Sequence, residues 1–431
     1  MMNLTGPARY SGKSWLYGKL GGNAGIYYSR PFFRDGSIFI FRPGSKLGGT
    51  ARRRSSSQER SFSFFISITN GGIFMARVFN FNAGPSAMPL PVLQQVQAEF
   101  LDFDHTGMSI VEISHRSAAY QKMQDDTVAV LRRLMQIPDD YHVIFMQGGG
   151  SMQFLMHGAN FLKHRGGYLN TGIWSDKAMK AASYYGEVYE VASSKADHFS
   201  YIPKEDTFMV KPDTDYIYMT SNNTVHGTQW QTFPHVDVPL FCDMSSDFLS
   251  RPVVVTNFDF IYAGVQKNVG PAGVVVGIIK DSLLKHVREG LPDMLSYRTF
   301  ADHDSTYNTP PVFCIYFVNR VAHWLEEQGG LTAIEARNAK KAALLYDCID
   351  GSDGFYRGHA AKDSRSVMNV TFNLPTPELE AKFVAEATAR DLIGIKGHRS
   401  LGGCRASIYN AVTEEACQAL ADFMNEFKKK Q

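Results

Sequence analysis

Two residues stand out as capable of covalent chemistry together. Lys267 lies in FDFIYAGVQKNVGPAGVVVGIIK, Phe258 to Lys280, between the β-rich runs Phe260–Val265 and Gly273–Lys280. An ammonium at the mouth of a buried hairpin is costly to desolvate unless something neutralises it. Capture of the amine as an imine removes that cost and turns the side chain into a reagent. Asp243 closes the apolar stretch that begins at Val238. A lysine for an aldehyde and a strand-end carboxylate for a pyridinium nitrogen are what pyridoxal 5'-phosphate (PLP) requires. Spacing alone leaves a second reading open, a solvated lysine on a turn and an unrelated aspartate.

Other candidates gain meaning from the elements that must hold them. Apolar β-runs alternate with helical periods from His142 to Asp243, which predicts a parallel α/β sheet. Ligands of such sheets bind at the carboxyl ends of strands. At those ends the sequence places Gly150 and Ser151, Trp174, Thr224, Asp243 and Lys267. The turn Gln147-Gly148-Gly149-Gly150-Ser151, before a helix expected from Met152, would turn backbone N–H groups toward an anion. Its spacing fits neither a dinucleotide nor a nucleoside-triphosphate loop, so a single phosphate ester is the better match. Together the five positions suit a phosphorylated aromatic cofactor. His115 and Arg116, in a loop before a helix over Ala118–Met135, read either as solvated punctuation or as an anion clamp. The last hundred residues read as an α+β unit whose loop Gly394–Arg405 gathers Lys396, His398, Arg399 and Arg405. Arginine grips carboxylate or phosphate in a fork.

Composition sets the frame. The 431 residues are 44% hydrophobic and 20% charged, as in an ordinary globular protein of two or more domains. Residues 1–75 carry 11 Lys/Arg against Asp35 and Glu59, which leaves the remainder acidic within a net charge of +2. That remainder offers no basic face for nucleic acid. No apolar run reaches the length of a membrane span. Five scattered cysteines, an odd number, argue for a reducing compartment, with no metal site implied. The expected location is cytoplasmic. Residues 1–75 show no sustained period and read as a poorly structured basic extension: an over-long reading frame ahead of Met75, an organellar targeting segment, or an interaction arm.

FNFNAGPSAMP, GMSIVEISHRS, the GGG loop, NTGIW, DMSS, YAGVQKNVGPAG, YNTPPVF and KGHRSLGGCRASIYN occur in order from Val78 to the C-terminus. In these segments the chain resembles the phosphoserine aminotransferase family of class V, fold-type I PLP enzymes. The resemblance implies a 76–89 arm, a large PLP-binding domain over 90–335 with a mostly parallel central sheet, and a smaller α+β domain over 336–431. It implies a homodimer with shared active sites. The expected reaction is reversible transamination between L-glutamate and 3-phosphohydroxypyruvate in serine biosynthesis, with a related vitamin B6 reaction open. Another class V PLP enzyme, or an inactive PLP-binding scaffold, is the alternative.

By this resemblance Lys267 is the Schiff-base lysine and Asp243 the partner of the ring nitrogen. Trp174 stacks on the ring and Thr224 bonds its hydroxyl. Gly150, Ser151 and Gln266 hold the phosphate, joined by Asn308 and Thr309 of the partner subunit. Arg405 receives the α-carboxylate. His115 and Arg116, reaching across the dimer, line the substrate pocket with His398 and Arg399.

Overall fold

The computed structural model describes residues 77–431 and, before them, only the backbone of four short strands, Phe32–Arg34, Ser37–Phe39, Ile66–Thr69 and Gly72–Met75. These pair as two antiparallel hairpins. The remaining expectations for residues 1–75 lie outside the described residues. Val78–Gln431 forms one compact unit, and Met1–Arg77 another.

Seven strands build the central sheet: β1 Tyr141–Met146, β2 Arg165–Asn170, β3 Glu187–Ser193, β4 Thr214–Thr220, β5 Leu240–Asp243, β6 Phe260–Gly264 and β7 Val275–Lys280. Their spatial order is β1-β7-β6-β5-β4-β2-β3. Only β7 runs against the rest, since it pairs antiparallel with both β6 and β1. Its tight return from β6 is the hairpin expected around Lys267, and the rest is the expected parallel sheet.

Alternation along each strand divides the core into two layers. Phe145, Met219, Cys242, Ile261, Ala263 and Ile278 face one way, toward α2 Ala118–Met135 and α5 Val312–Glu327. Their neighbours Ile144, Tyr218, Phe241, Phe260 and Tyr262 face α3 Gly149–Phe161 and α4 Ile173–Ala182. A strand with both faces covered must be apolar on both, which is why β5 and β6 read as unbroken apolar runs.

Leu90, Leu93, Val96 and Phe100 recur at helical spacing and predict a helix over Pro89–Phe103; the helix stops earlier, as α1 Leu90–Glu99, and Phe103 enters a separate short 3-10 turn. Pro91 stands in the first turn, where its missing N–H costs nothing. A third core lies under α6 Gly330–Asp350 and α7 Glu414–Lys429, and packs Phe81 against Val370, Ala406 and Ile408. Its sheet contains β8 Asn369–Asn373 and β9 Cys404–Ser407, antiparallel in register Thr371↔Arg405.

The segment before α1 runs between these cores. Phe79 and Asn80 pair with Leu392 and Ile393, and Tyr409 Oη donates to the Ala83 carbonyl at 2.8 Å. Ser86 N then reaches the Gln266 carbonyl at 3.2 Å, while Ser86 Oγ donates to the carbonyl of Lys267.

Candidate active site

The carboxyl ends of five parallel strands and the loops that leave them deliver the site. β1 leads to Gly150, β2 to Trp174, β4 to Thr224, β5 ends on Asp243, and β6 leads to Lys267. The convergence expected from spacing is present, and distances tie its members together. Lys267 Nζ donates to Thr224 Oγ1 at 2.8 Å and lies 5.0 Å from the centre of the Trp174 ring. Burial brings the Lys267 amine down to about 8; Asp243 and Asp247 oppose the shift, and the Arg405 charge adds to it. A lysine so placed has a sizeable neutral fraction near neutral pH, as a nucleophile or base needs.

Asp243 is 6% exposed and closes β5, in register with Tyr262 on one side and Thr220 on the other. Its Oδ1 accepts from Ser245 N at 2.8 Å, and its Oδ2 accepts from Tyr262 Oη at 2.9 Å. Ser245 extends the link, because its Oγ accepts from Gly264 N at 2.9 Å. A methyl group on Gly264 would sit 3.0 Å from Gln266 Oε1 and 3.3 Å from Gly150 N. The absence of a side chain there leaves space between the Gln266 amide and the start of α3.

Helix α3 begins at Gly149, three residues before the expected Met152, so Gly149, Gly150 and Ser151 form its first turn. Positive φ at Gly148 (96°) and Gly149 (66°) lets the strand turn into the helix at once. The N–H groups of that first turn have no intrahelical partner, the arrangement that favours an anion at a helix start. Ser151 itself is exposed.

Beyond Lys267 lies a cluster of cations. Arg405 Nη1 donates to the Thr224 carbonyl at 3.2 Å, so both oxygens of Thr224 are held, one by the lysine and one by the arginine. No ion pair among the described residues joins Arg405 to an acid, and burial lowers its pKa. His398, hydrogen-bonded to Ser400 Oγ at 2.7 Å, is pushed down by burial and then by the charges of Arg405, Lys177 and Arg399. Three orphaned polar atoms, Trp174 Nε1, Arg405 Nε and Asn308 Oδ1, are buried without a hydrogen bond. A buried amine, a carboxylate, a helix start free of side chains at Gly149 and Gly150, and unspent polar atoms fit a phosphorylated pyridine aldehyde.

A family model described as Aminotransferase class-V matches residues 78–420. The chain belongs to this family. It is 53% identical over 358 residues to the phosphoserine aminotransferase of Geobacillus kaustophilus, covering 83% of this chain and 99% of that protein. The Bacillus subtilis phosphoserine aminotransferase is 51% identical over 357 residues, covering 82% and 99%. Among solved structures, the phosphoserine aminotransferase of Bacillus circulans subsp. alkalophilus superposes with a TM-score of 0.81 at 49% identity, covering 82% of this chain and 99% of that one. A PLP-bound phosphoserine aminotransferase from Trichomonas vaginalis gives 0.78 at 38% identity, covering 81% and 100%.

Not every expected residue of this aminotransferase gathers here. His115 and Arg116 lie in the loop before α2, half-buried and exposed, and no hydrogen bond or ion pair described for them reaches the lysine pocket. The Thr309 carbonyl accepts from Gln147 Nε2 at 2.9 Å within the chain, which puts the Asn308–Thr309 loop beside the start of the glycine turn. Other members were missed by the sequence reading. Ser245, Tyr262 and Ser86 each sit inside a quoted motif, yet their partners are set by strand register or by chain ends far apart. His226, 7% exposed and held near 4 by burial and then by His359 and His398, gave no signal in the sequence.

Proposed function

We propose that the protein catalyses reversible transamination between L-glutamate and 3-phosphohydroxypyruvate, as a PLP-dependent phosphoserine aminotransferase. The observation that carries this is the double grip on Thr224, which sets the lysine amine and the Arg405 guanidinium on one residue. An α-amino acid presents its reacting carbon next to its carboxylate, so amine and guanidinium must be neighbours. The relatives named phosphoserine aminotransferase support the choice of substrates.

Gly150, Ser151 and Gln266 would hold the cofactor phosphate, Thr224 its hydroxyl, Trp174 its ring face and Asp243 its ring nitrogen. Bound PLP supplies a carbonyl carbon for amines and a ring that takes up the electron pair left when the α-proton departs. Lys267 Nζ, neutral in part near pH 8, would serve as the base that carries this proton in a 1,3-shift. Arg405 receives the α-carboxylate in a fork. His398 and Arg399, with His115 and Arg116 of the partner subunit, take the distal phosphate or carboxylate. Flexible cations that need not match one geometry suit two different distal anions. This reading entails a homodimer, with Asn308 and Thr309 of the partner subunit beside the cofactor phosphate, and assigns 90–335 to the cofactor and 336–431 to the substrate carboxylate. No helix among the described residues is long and apolar enough to cross a membrane. The five cysteines are free, which supports a reducing, cytoplasmic setting.

A coupled assay with both substrates, recorded alongside the visible cofactor absorbance, tests the proposal. Absorbance should bleach with glutamate and return with 3-phosphohydroxypyruvate, and Lys267→Ala should abolish both changes. Return only with unphosphorylated keto acids would retain the family and discard the substrate. An absent band despite added PLP would leave an inactive scaffold.

A further inference from the structure

Behind Asp243 lies a chain of hydroxyls. Tyr262 Oη donates to Asp243 Oδ2 at 2.9 Å, and Tyr218 Oη lies 3.0 Å from Tyr262 Oη. A phenol has one proton to donate. Tyr262 commits its proton to the carboxylate, so the hydrogen between the two tyrosines belongs to Tyr218. The direction of the relay is thereby fixed: Tyr218 to Tyr262 to Asp243.

The sheet explains how the three groups meet. Tyr218, Asp243 and Tyr262 come from adjacent strands, with Phe241 opposite Tyr218 and Asp243 opposite Tyr262, and all their side chains point to the α3 face. Both tyrosines are fully buried. The His157 ring packs against both, 5.6 Å from Tyr218 and 5.1 Å from Tyr262, and neither of its nitrogens makes a hydrogen bond. Burial keeps both phenols protonated and this imidazole neutral. The relay is therefore made of neutral donors held in an aromatic cage.

Resting on the assignment of Asp243 to the ring nitrogen, we propose that Tyr262, backed by Tyr218, is a positioning residue that fixes Oδ2 of Asp243 against that nitrogen. A neutral donor stabilises a carboxylate without cancelling its charge. The Tyr218 hydrogen bond polarises Tyr262 and makes it the stronger donor. In a proton shared between a ring nitrogen and a carboxylate, donors to the carboxylate lower its basicity and keep the proton on nitrogen. A positively charged ring is the better electron sink, so this relay acts on the α-proton step from the side remote from Lys267.

The test uses holoenzyme loaded with PLP labelled with nitrogen-15 in the ring, read by NMR in wild type, Asp243→Asn, Tyr262→Phe and Tyr218→Phe. Expected is a protonated ring nitrogen in wild type and a neutral one in Asp243→Asn. Tyr262→Phe should move the signal part of the way toward neutral, and Tyr218→Phe less far in the same direction. The turnover of Tyr262→Phe should fall roughly tenfold, the loss of one hydrogen bond to a charged group. A signal in Tyr262→Phe identical to wild type, beside a displaced one in Asp243→Asn, overturns the relay and leaves the Asp243 assignment standing. An Asp243→Asn signal equal to wild type overturns the assignment itself, and the relay with it. A purely structural role would lower the melting temperature without moving the nitrogen signal. If Tyr262→Phe fails to fold, Tyr218→Phe decides, and an unmoved signal there overturns the proposal.

Discussion

At the scale of the residue, Lys267 is held against its own solvation. Its amine is neutralised at about 8 in the folded chain and near 10.4 when unfolded, so between those values the unfolded state binds more protons. The contribution of this group to stability then rises with pH through that window and is absent below it. Lys341, also brought to about 8 by burial, adds the same sign, whereas the thiols of Cys242, Cys314, Cys348, Cys404 and Cys417, all raised by burial, oppose it from about 8.5, and the buried tyrosines oppose it above about 10. Expected for the PLP-free protein is a pH slope of stability between about pH 8 and 10 that is lower by up to one proton in Lys267→Met than in wild type, and unchanged in an exposed-lysine control such as Lys285→Met. An equal slope in Lys267→Met would mean that the amine is solvated. Residue identity made this lysine legible in the sequence, because an ammonium between two apolar runs demands an account. Tyr262 carries no such anomaly. A tyrosine in a β-run reads as core, and only the register that sets it against Asp243 reveals its hydroxyl.

At the scale of the element, the strand ends were legible and the helix starts less so. Apolar runs fix where β5 and β6 stop, and Asp243 and Gly264 mark those ends directly. Glycine run lengths do not say where a helix begins, since glycine is a poor helix former yet is required at the turn that opens α3. Gly148 shows the requirement. At φ 96° an added Cβ would stand 2.9 Å from Met152 Cβ. Gly148→Ala should therefore destabilise the fold by roughly 1–3 kcal/mol through backbone strain. It should weaken cofactor retention further, because it shifts the first-turn N–H groups. Urea unfolding and dialysis against PLP-free buffer check both; undiminished retention would free the glycine turn of its phosphate role. The α1 boundary was missed for a different reason. Phe100 and Phe103 continue the apolar period, but Phe103 is buried from a separate 3-10 turn, and periodicity cannot distinguish a helix from a bend that serves the same core.

At the scale of the whole molecule, one buried cation fastens the C-terminal segment. Lys341 of α6 is fully buried and donates to the carbonyls of Ile408, Tyr409 and Val412 at 2.9, 2.8 and 3.0 Å. Those carbonyls follow β9, the strand that carries Arg405. Lys341→Met leaves three acceptors unpaired and should cost about 1–3 kcal/mol, the range for buried polar groups left unsatisfied. It should also raise KM for glutamate more than it lowers kcat, since Arg405 loses its anchor and Lys267 does not. A denaturation midpoint equal to wild type would show that water replaces the ammonium. None of this was legible in advance, because a lysine at a helical position reads as exposed until the partners of its helix are known.

The segment from Phe79 to Ser86 fixes when competence is reached as the chain is made. It leaves the ribosome before every other part of the site, yet its partners Lys267 and Tyr409 follow 181 and 326 residues later. Arg405 arrives with the last of them. The central sheet has all its strands by Lys280 and can close while synthesis continues. The full set of these residues is thus present only late in synthesis, and a nascent chain stalled short of Cys404 has every strand of the central sheet and Lys267 but lacks Arg405 and Tyr409.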